Sequence, residues 1–122
     1  MIQFAVIGLG RAGAARVKCI HQHPQASLQG TVSRRGNGTH TLEQVLKDPF
    51  FEAVIICTEN DTHYSLAKQA LEHNKHVIVE FPLANHTWQI EELVTLANKN
   101  NLTLHCEMIG LLTTSHLHRK KQ

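Results

Sequence analysis

The sequence predicts an α/β fold with a doubly wound parallel sheet, and three observations support this. Short apolar segments rich in β-branched residues alternate with segments of helical periodicity, which indicates βαβ crossovers. Residues 53–57 are apolar without a break, as expected of a strand that is covered on both faces. The first apolar segment runs directly into the glycine pattern of Gly8, Gly10 and Gly13, which in such folds links a strand to a helix.

Length and composition indicate one domain and exclude several classes of protein. The chain has 122 residues, 42% of them hydrophobic, so a sizeable core is expected. A formal net charge of +2 is too small to indicate nucleic-acid binding. We find no apolar run of about 18 residues and no basic segment before the first apolar run, so neither a membrane span nor a signal peptide is predicted. The three cysteines are odd in number and far apart, which argues against a disulfide framework and favours a reducing, cytoplasmic compartment.

The first half of the chain reads as strand, helix, strand and short helix. Strands are predicted at residues 2–7 and 28–32, and the Ala-rich, Pro-free segment 12–21 between them is predicted as a helix. A loop rich in Gly and Asn follows at residues 36–38. Thr41 and Gln44 then form the pattern of a capping box, so we expect a short helix that ends before Pro49.

The second half continues the alternation of strands and helices. The uninterrupted apolar segment 53–57 is a predicted strand, and Leu66, Ala70 and Leu71 share one side of the helix predicted after it. We expect the dinucleotide-binding domain to cover residues 1–112 and the basic tail, 113–122, to be frayed. The remaining predictions are a helix at 62–73, a strand at 76–80, a helix at 87–98 and a strand at 102–106.

The glycine pattern carries the strongest functional signal, because each glycine has a physical role in binding a dinucleotide. Gly8 permits the sharp turn after the strand, and Gly10 allows the backbone to approach a pyrophosphate. Gly13 lets the next helix pack closely, and the pyrophosphate then lies at the positive end of that helix. The alternative is a glycine turn with a purely structural role. The predicted cofactor-binding residues in this loop are Gly8, Leu9, Gly10, Arg11, Ala12 and Gly13.

The residues after the second predicted strand indicate which dinucleotide is bound. NAD-binding domains usually carry Asp or Glu there to accept hydrogen bonds from the ribose 2′-hydroxyl, whereas this chain has Ser33, Arg34 and Arg35. A guanidinium group is a planar, permanently charged fork that suits a 2′-phosphate. The sequence therefore favours NADP(H) over NAD(H). The alternative is a basic turn that is simply solvated.

Residues that follow the other predicted strands are expected near the same ligand, because parallel strands present their carboxyl ends at one edge of a sheet. Ordinary turn chemistry is the alternative for each of them. The segments concerned are 58–63, 81–82 and 107–108.

The ten histidines raise the question of a metal site. Their close pairs are spaced by two residues and lack a cysteine or carboxylate at a ligand spacing, so no metal site is predicted.

Two further motifs resemble the Gfo/Idh/MocA oxidoreductase family. Thr58, Asn60 and His63 match its T-x-N-x-x-H pattern, and residues 74–82 match its G-K-H-V-x-x-E-K-P block. The resemblance implies an NAD(P)-binding Rossmann fold with Cys57, Thr58, Asn60, His63, Glu80 and Phe81 at the cofactor. Several segments are most similar to a branch of the family that reduces a linear tetrapyrrole, although Met108 and Gly110 depart from that branch's pattern; they are residues 10–13 and 32–35, Phe81, Leu104, His105, Glu107, Leu111 and Leu112. The implied reaction is hydride transfer from NADPH to such a conjugated acceptor.

Departures from the family pattern bear on catalysis. Phe81 stands where the family has its catalytic lysine, so proton transfer by lysine from this position is excluded. His63 and Glu107 are weak candidates for a proton donor, each with a structural role as the alternative. The family's second, substrate-covering domain is not encoded in these residues, so we expect weak or no activity and either self-association or a partner domain. A non-catalytic NADP-binding module or partner subunit is the alternative function.

Overall fold

A computed structural model describes residues 2–8, 26–33 and 36–107, and it confirms the predicted α/β class. Five parallel strands form one sheet in the order β2-β1-β3-β4-β5. The helix predicted at 12–21 and the basic tail lie outside the described residues. The strands are β1 (Ile2–Ile7), β2 (Ala26–Val32), β3 (Ala53–Ile56), β4 (His76–Glu80) and β5 (Leu104–Glu107), and the α-helices are α1 (Leu42–Lys47), α2 (His63–Glu72) and α3 (Thr87–Lys99).

The core lies on both faces of the sheet. All four residues of β3 are buried, as the unbroken apolar run predicts. The face that carries Val54 and Val77 packs against Leu71 of α2 and Leu93 of α3. The opposite face buries a smaller cluster of Val6, Ile55 and Cys57, with Phe4, Leu28 and Ile78 beside it.

The short helix α1 begins as its sequence predicts. The Thr41 hydroxyl accepts a hydrogen bond from the Gln44 amide at 3.1 Å, and the Gln44 side-chain oxygen accepts one from the Thr41 amide at 2.8 Å. This capping box satisfies amides that the first helical turn leaves without partners. It places the start of α1 beside the end of β2.

Most predicted boundaries are correct to within two residues, and the last strand is the clearest difference. It was expected at 102–106 but spans Leu104–Glu107. Asn101 has a φ of +56°, and the Leu102 amide donates to the Ala97 carbonyl at 2.8 Å, so residues 101–102 still complete the end of α3. Similarly, residues 60–62 form a 3₁₀ turn and α2 begins only at His63, since the Thr62 amide donates to the carbonyl of Glu59.

Candidate functional site

The residues that follow β1, β2, β3 and β4 lie at one edge of the sheet. A cavity of about 1000 Å³ opens at this edge. Of the residues predicted to bind cofactor, Gly8, Ser33, Cys57 and Thr58 line this cavity. The cavity, here called the cleft, lies between the segments that follow β1, β2 and β3. This is the edge at which ligands bind in doubly wound sheets. Its other lining residues are Ile7, Val32, Gly36, Asn37, Gly38, Thr39, His40, Thr41, Leu42, Gln44, Glu59, Asp61, Thr62, Ser65 and Leu66.

Gly8 occupies a position that only glycine fits. Its φ is +99°, and a Cβ atom built on it would lie 2.8 Å from the carbonyl oxygen of Cys57. Its amide donates to the Val32 carbonyl at 2.7 Å. Where the chain leaves β1, its backbone therefore contacts the ends of both neighbouring strands, β2 and β3. This close approach leaves bare backbone at the cleft, as a pyrophosphate requires. Leu9, Gly10, Arg11, Ala12 and Gly13 lie outside the described residues.

The wall beyond β2 is a loop that folds back on the strand. The Thr31 amide donates to the Thr39 hydroxyl at 2.9 Å, and the Thr39 amide donates to the Thr31 hydroxyl at 3.0 Å. Gly38 lies so close that an added Cβ would stand 2.6 Å from the Thr31 carbonyl oxygen. These contacts fix the loop next to Ser33, which is partly buried. Arg34 and Arg35, predicted to bind the 2′-phosphate, lie outside the described residues.

Sequence reasoning did not assign Thr39, His40 and Thr41 to this wall. Thr41 was identified only as a helix cap, and no local pattern marks the reciprocal pairing of Thr31 with Thr39. The His40 ring packs edge-on against Phe51, with the ring centroids 5.2 Å apart. The hydrogen bonds between Thr31 and Thr39 join residues eight positions apart, so this pairing is recognised only in the folded chain.

The Thr58–Thr62 segment forms a compact turn on the cleft's other side. The Thr62 hydroxyl donates to the Glu59 carbonyl at 2.7 Å, so the Thr58 hydroxyl donates in turn to the Thr62 oxygen at 2.5 Å. Thr58, Glu59, Asp61 and Thr62 line the cleft, whereas the predicted Asn60 is exposed and does not line it. The turn therefore presents hydroxyls and carboxylates to the cleft.

His63 is buried behind this turn, with 1% of its surface exposed. Its Nδ1 lies 2.7 Å from the carbonyl oxygen of Pro82, and its Nε2 lies 3.0 Å from that of Thr58. Both ring nitrogens therefore contact backbone, and the ring does not line the cleft. In this structure the His63 ring connects two loops, and it does not face the cleft as a proton donor to a substrate would.

The predicted residues after β4 also lie away from the cleft lining. Glu80 is buried, and the Cys57 thiol lies 3.8 Å from its Oε1 atom. Phe81 is 58% exposed, so its ring is free to contact another molecule. Glu107 pairs with Glu80 across β4 and β5, and nothing is described of its side chain.

Displaced pKa values occur outside the cleft. The Tyr64 hydroxyl donates to Glu92, which raises the pKa of Tyr64 and lowers that of Glu92. Lys68 lies 3.3 Å from the same carboxylate, and this contact raises the pKa of the lysine. These three groups join α2 to α3 and do not line the cleft.

The described part of the chain carries neither a cluster of metal ligands nor a helix that could span a membrane. Among residues 2–8, 26–33 and 36–107, no three His, Cys, Asp or Glu side chains are grouped so that they could hold a metal ion. None of the helices described there is long and apolar enough to cross a membrane.

Comparisons with known proteins agree on one family. The model of a family described as an oxidoreductase family with an NAD-binding Rossmann fold matches residues 2–108. Biliverdin reductase A of Mus musculus is 36% identical over 116 residues, covering 88% of this chain and 39% of that protein. Biliverdin reductase A of Homo sapiens is 34% identical over 127 aligned residues, covering 96% of this chain and 43% of that protein.

A solved structure supports the same assignment. Biliverdin reductase from Synechocystis sp. PCC 6803, crystallised with biliverdin and NADP⁺, has a TM-score of 0.84 at 25% identity. The match covers 99% of this chain and 42% of that one. The chain thus spans about two fifths of the length of the curated relatives it matches.

Proposed function

The chain belongs to the Gfo/Idh/MocA family of oxidoreductases, as part of its NAD(P)-binding Rossmann domain, and we propose that its cleft binds NADP(H) in preference to NAD(H). The observation that supports dinucleotide binding is Gly8, where positive φ and the 2.8 Å approach to Cys57 exclude any side chain, and the preference for NADP(H) rests on Arg34 and Arg35 in the sequence. A nucleotide phosphate requires such bare backbone at the end of the first strand. The cleft's volume of about 1000 Å³ is sufficient for a dinucleotide to enter.

Roles within the site follow the order of the strands. Gly8, Gly10 and Gly13 hold the pyrophosphate, and Ser33, Arg34 and Arg35 hold the 2′-phosphate. Thr58 and the backbone of Cys57 contact the nicotinamide half, with Asn60, His63, Glu80 and Phe81 further along the same edge. When bound, NADPH supplies a hydride. The protein orients the cofactor and limits its exposure to water.

We propose a flat, conjugated acceptor such as a linear tetrapyrrole as the substrate. The named relatives are biliverdin reductases, and one of them was crystallised with biliverdin and NADP⁺. Phe81 supports the proposal in this chain, because an exposed aromatic ring can stack on a flat conjugated molecule. The Phe81 side chain has no acidic hydrogen, so it cannot donate a proton to the substrate.

A non-catalytic NADP-binding module is the second candidate. Phe81 replaces the family's lysine, and the ring nitrogens of His63 both contact backbone carbonyls. Neither residue is therefore placed to protonate a substrate. Following NADPH absorbance with biliverdin present separates the two functions, since a binding module leaves the absorbance unchanged.

Two further proposals concern where the chain is located and what it associates with. We propose a cytoplasmic location, because the three cysteines are odd in number and far apart in the sequence, which argues against a disulfide framework. We also propose that the chain associates with itself or with a partner domain, because several large apolar side chains are exposed.

Calorimetry with NADPH and NADH tests the cofactor proposal. A charge-assisted hydrogen bond contributes about 1.5–3 kcal/mol, so NADPH should bind on the order of ten- to a hundred-fold more tightly. Replacing both Arg34 and Arg35 with Ala should remove the preference and leave NADH affinity nearly unchanged. Replacing Lys47 and Lys99 with Ala removes the same charge at exposed positions outside the cleft, and serves as the control. Equal affinities in the wild type would contradict the NADP assignment.

A further inference from the structure

His63 lies where two loops of the carboxyl edge meet. It is the first residue of α2, directly after the turn at Asn60–Thr62, and it is one of the largest fully buried side chains described. A histidine so fully buried must satisfy its polar atoms within the protein, because an unpaired buried donor is costly. The partners it uses therefore indicate what the residue does.

Both ring nitrogens contact main-chain carbonyls, and the two carbonyls belong to different loops. Nε2 reaches Thr58 in the loop after β3, at 3.0 Å. Nδ1 reaches Pro82 in the loop after β4, at 2.7 Å. Carbonyl oxygens only accept hydrogen bonds, so each nitrogen that carries a hydrogen donates to one of these loops. The imidazole ring thus spans the gap between segments that are joined in sequence only through α2 and β4.

The two loops carry different parts of the proposed site. Thr58 lines the cleft, and its hydroxyl orders the turn through Thr62. Pro82 follows Phe81, whose exposed ring lies outside the cleft lining. The planar ring therefore contacts both loops at once.

We propose that His63 is a positioning residue that holds the Phe81–Pro82 segment in register with Thr58, so that the nucleotide-facing loop sets the position of the exposed aromatic ring. The proposal rests on the proposed function in one respect, namely that a nucleotide contacts the Thr58 loop. The coupling of the two loops exists without any ligand and is tested first in that state.

Hydrogen exchange on the ligand-free full chain tests the coupling. The Thr62 amide bonds to the Glu59 carbonyl, and the His86 amide bonds to the Gln89 side chain, so each reports on one loop. In a His63→Leu variant both amides should exchange on the order of ten-fold faster, because the ring's contact with a carbonyl is lost on each side, together with the hydrogen bond of whichever nitrogen carries the hydrogen. The Val77 amide, bonded to Thr103 within the sheet, should keep its rate and exclude global unfolding as the cause. Unchanged rates at both loop amides would overturn the proposal.

Two variants keep the test decisive. His73→Leu makes the same change at an exposed histidine that bonds only to its own helix, and it should alter neither loop. The amide introduced by His63→Gln donates only from its NH₂ end, so it can retain at most one of the two carbonyl contacts and should relax at least one loop. If His63→Leu does not fold, this second variant carries the test, and unchanged exchange in both of its loops would overturn the proposal.

A titration with NADPH then tests transmission between the loops. In the wild type the amide shifts of both Thr58 and Leu83 should change on binding. In the His63 variant the change should persist at Thr58 and be lost at Leu83, with both proteins compared at saturating NADPH. Equal shifts at Leu83 in both proteins would contradict the proposal. If NADPH does not bind the wild type at all, the proposed function fails, and hydrogen exchange still decides the role of His63.

Discussion

At the scale of single residues, the surrounding space distinguishes two glycines that share a positive φ. Gly8 and Gly36 both have positive φ, +99° and +80°. An added Cβ at Gly8 would collide with Cys57, whereas at Gly36 it would meet nothing within 4 Å. Residues other than glycine tolerate positive φ poorly at either place. The collision at the cleft is the additional constraint that makes Gly8 part of the site.

Replacing Gly8 with Ala should therefore cost more stability than the same change at Gly36. We expect Gly36→Ala to lower the free energy of unfolding by about 1–2 kcal/mol, through the left-handed backbone alone. Gly8→Ala should lower the free energy of unfolding by about 1–3 kcal/mol more than Gly36→Ala does, because the methyl group overpacks the end of β3. Urea denaturation of both variants measures the difference. Equal losses would show that the contact with Cys57 is relieved at little cost.

At the scale of elements, Lys75 joins the end of α1 to the start of β4. It is 2% exposed, and its Nζ donates to the carbonyl oxygen of Asp48, the C-cap residue of α1, at 2.6 Å. Burial lowers the pKa of Lys75 below its ordinary value of 10.5, and the nearby Asp48 charge only partly opposes this. It lines a second cavity, of about 640 Å³, at the opposite edge of the sheet from the cleft.

Lys75 should make stability depend on pH with a definite sign. Because the folded pKa is lowered, the unfolded chain binds more protons between that pKa and about 10.5, so the lysine's contribution to stability increases as pH rises through this window. Urea denaturation between about pH 7 and 10 should show this rise in the wild type relative to Lys75→Met.

The control for this measurement is Lys47→Met. Glu43 raises the pKa of Lys47 through an exposed ion pair, so any contribution of Lys47 declines as pH rises through its folded pKa. Because that decline begins only above about pH 10.5, the difference for Lys47→Met should stay flat between about pH 7 and 10, whereas the difference for Lys75→Met rises. Parallel slopes would contradict the role assigned to burial.

At the scale of the whole molecule, apolar surface remains exposed on α3 and on the loop before it. Ile90 and Val94 lie four residues apart, hence on one face of the helix, and are 37% and 43% exposed. Trp88 and Phe81 are exposed more fully still. Grouped apolar side chains of this kind mark surfaces that bind another molecule.

Self-association through α3 should weaken when this surface is charged. Ile90→Lys with Val94→Lys should raise the dissociation constant of the assembly at least ten-fold, since burying each apolar side chain contributes about 1.5–3 kcal/mol. Sedimentation velocity over a range of concentrations provides the measurement. Thr95→Lys adds charge at an exposed polar position of the same helix and should have little effect. A wild type that remains monomeric at high concentration would contradict self-association.

The sequence by itself determined the order and type of the elements that the structure describes and the edge of the sheet at which the cleft opens. Periodicity, the Thr41 capping box and the glycine at the end of β1 are local signals, because each depends on residues within one or two turns of chain. The family resemblance, confirmed over residues 2–108, follows from motifs of the same local kind.

Only the tertiary structure decided which residues after the strands share a cavity. It placed Thr39 and Thr41 on the wall of the cleft, and it buried His63 between two loops. Sequence patterns specify that a polar residue follows a strand, but its contacts depend on how segments distant in sequence pack together. A histidine five residues from one partner and nineteen from the other cannot be assigned to either until the sheet brings both carbonyls to its ring.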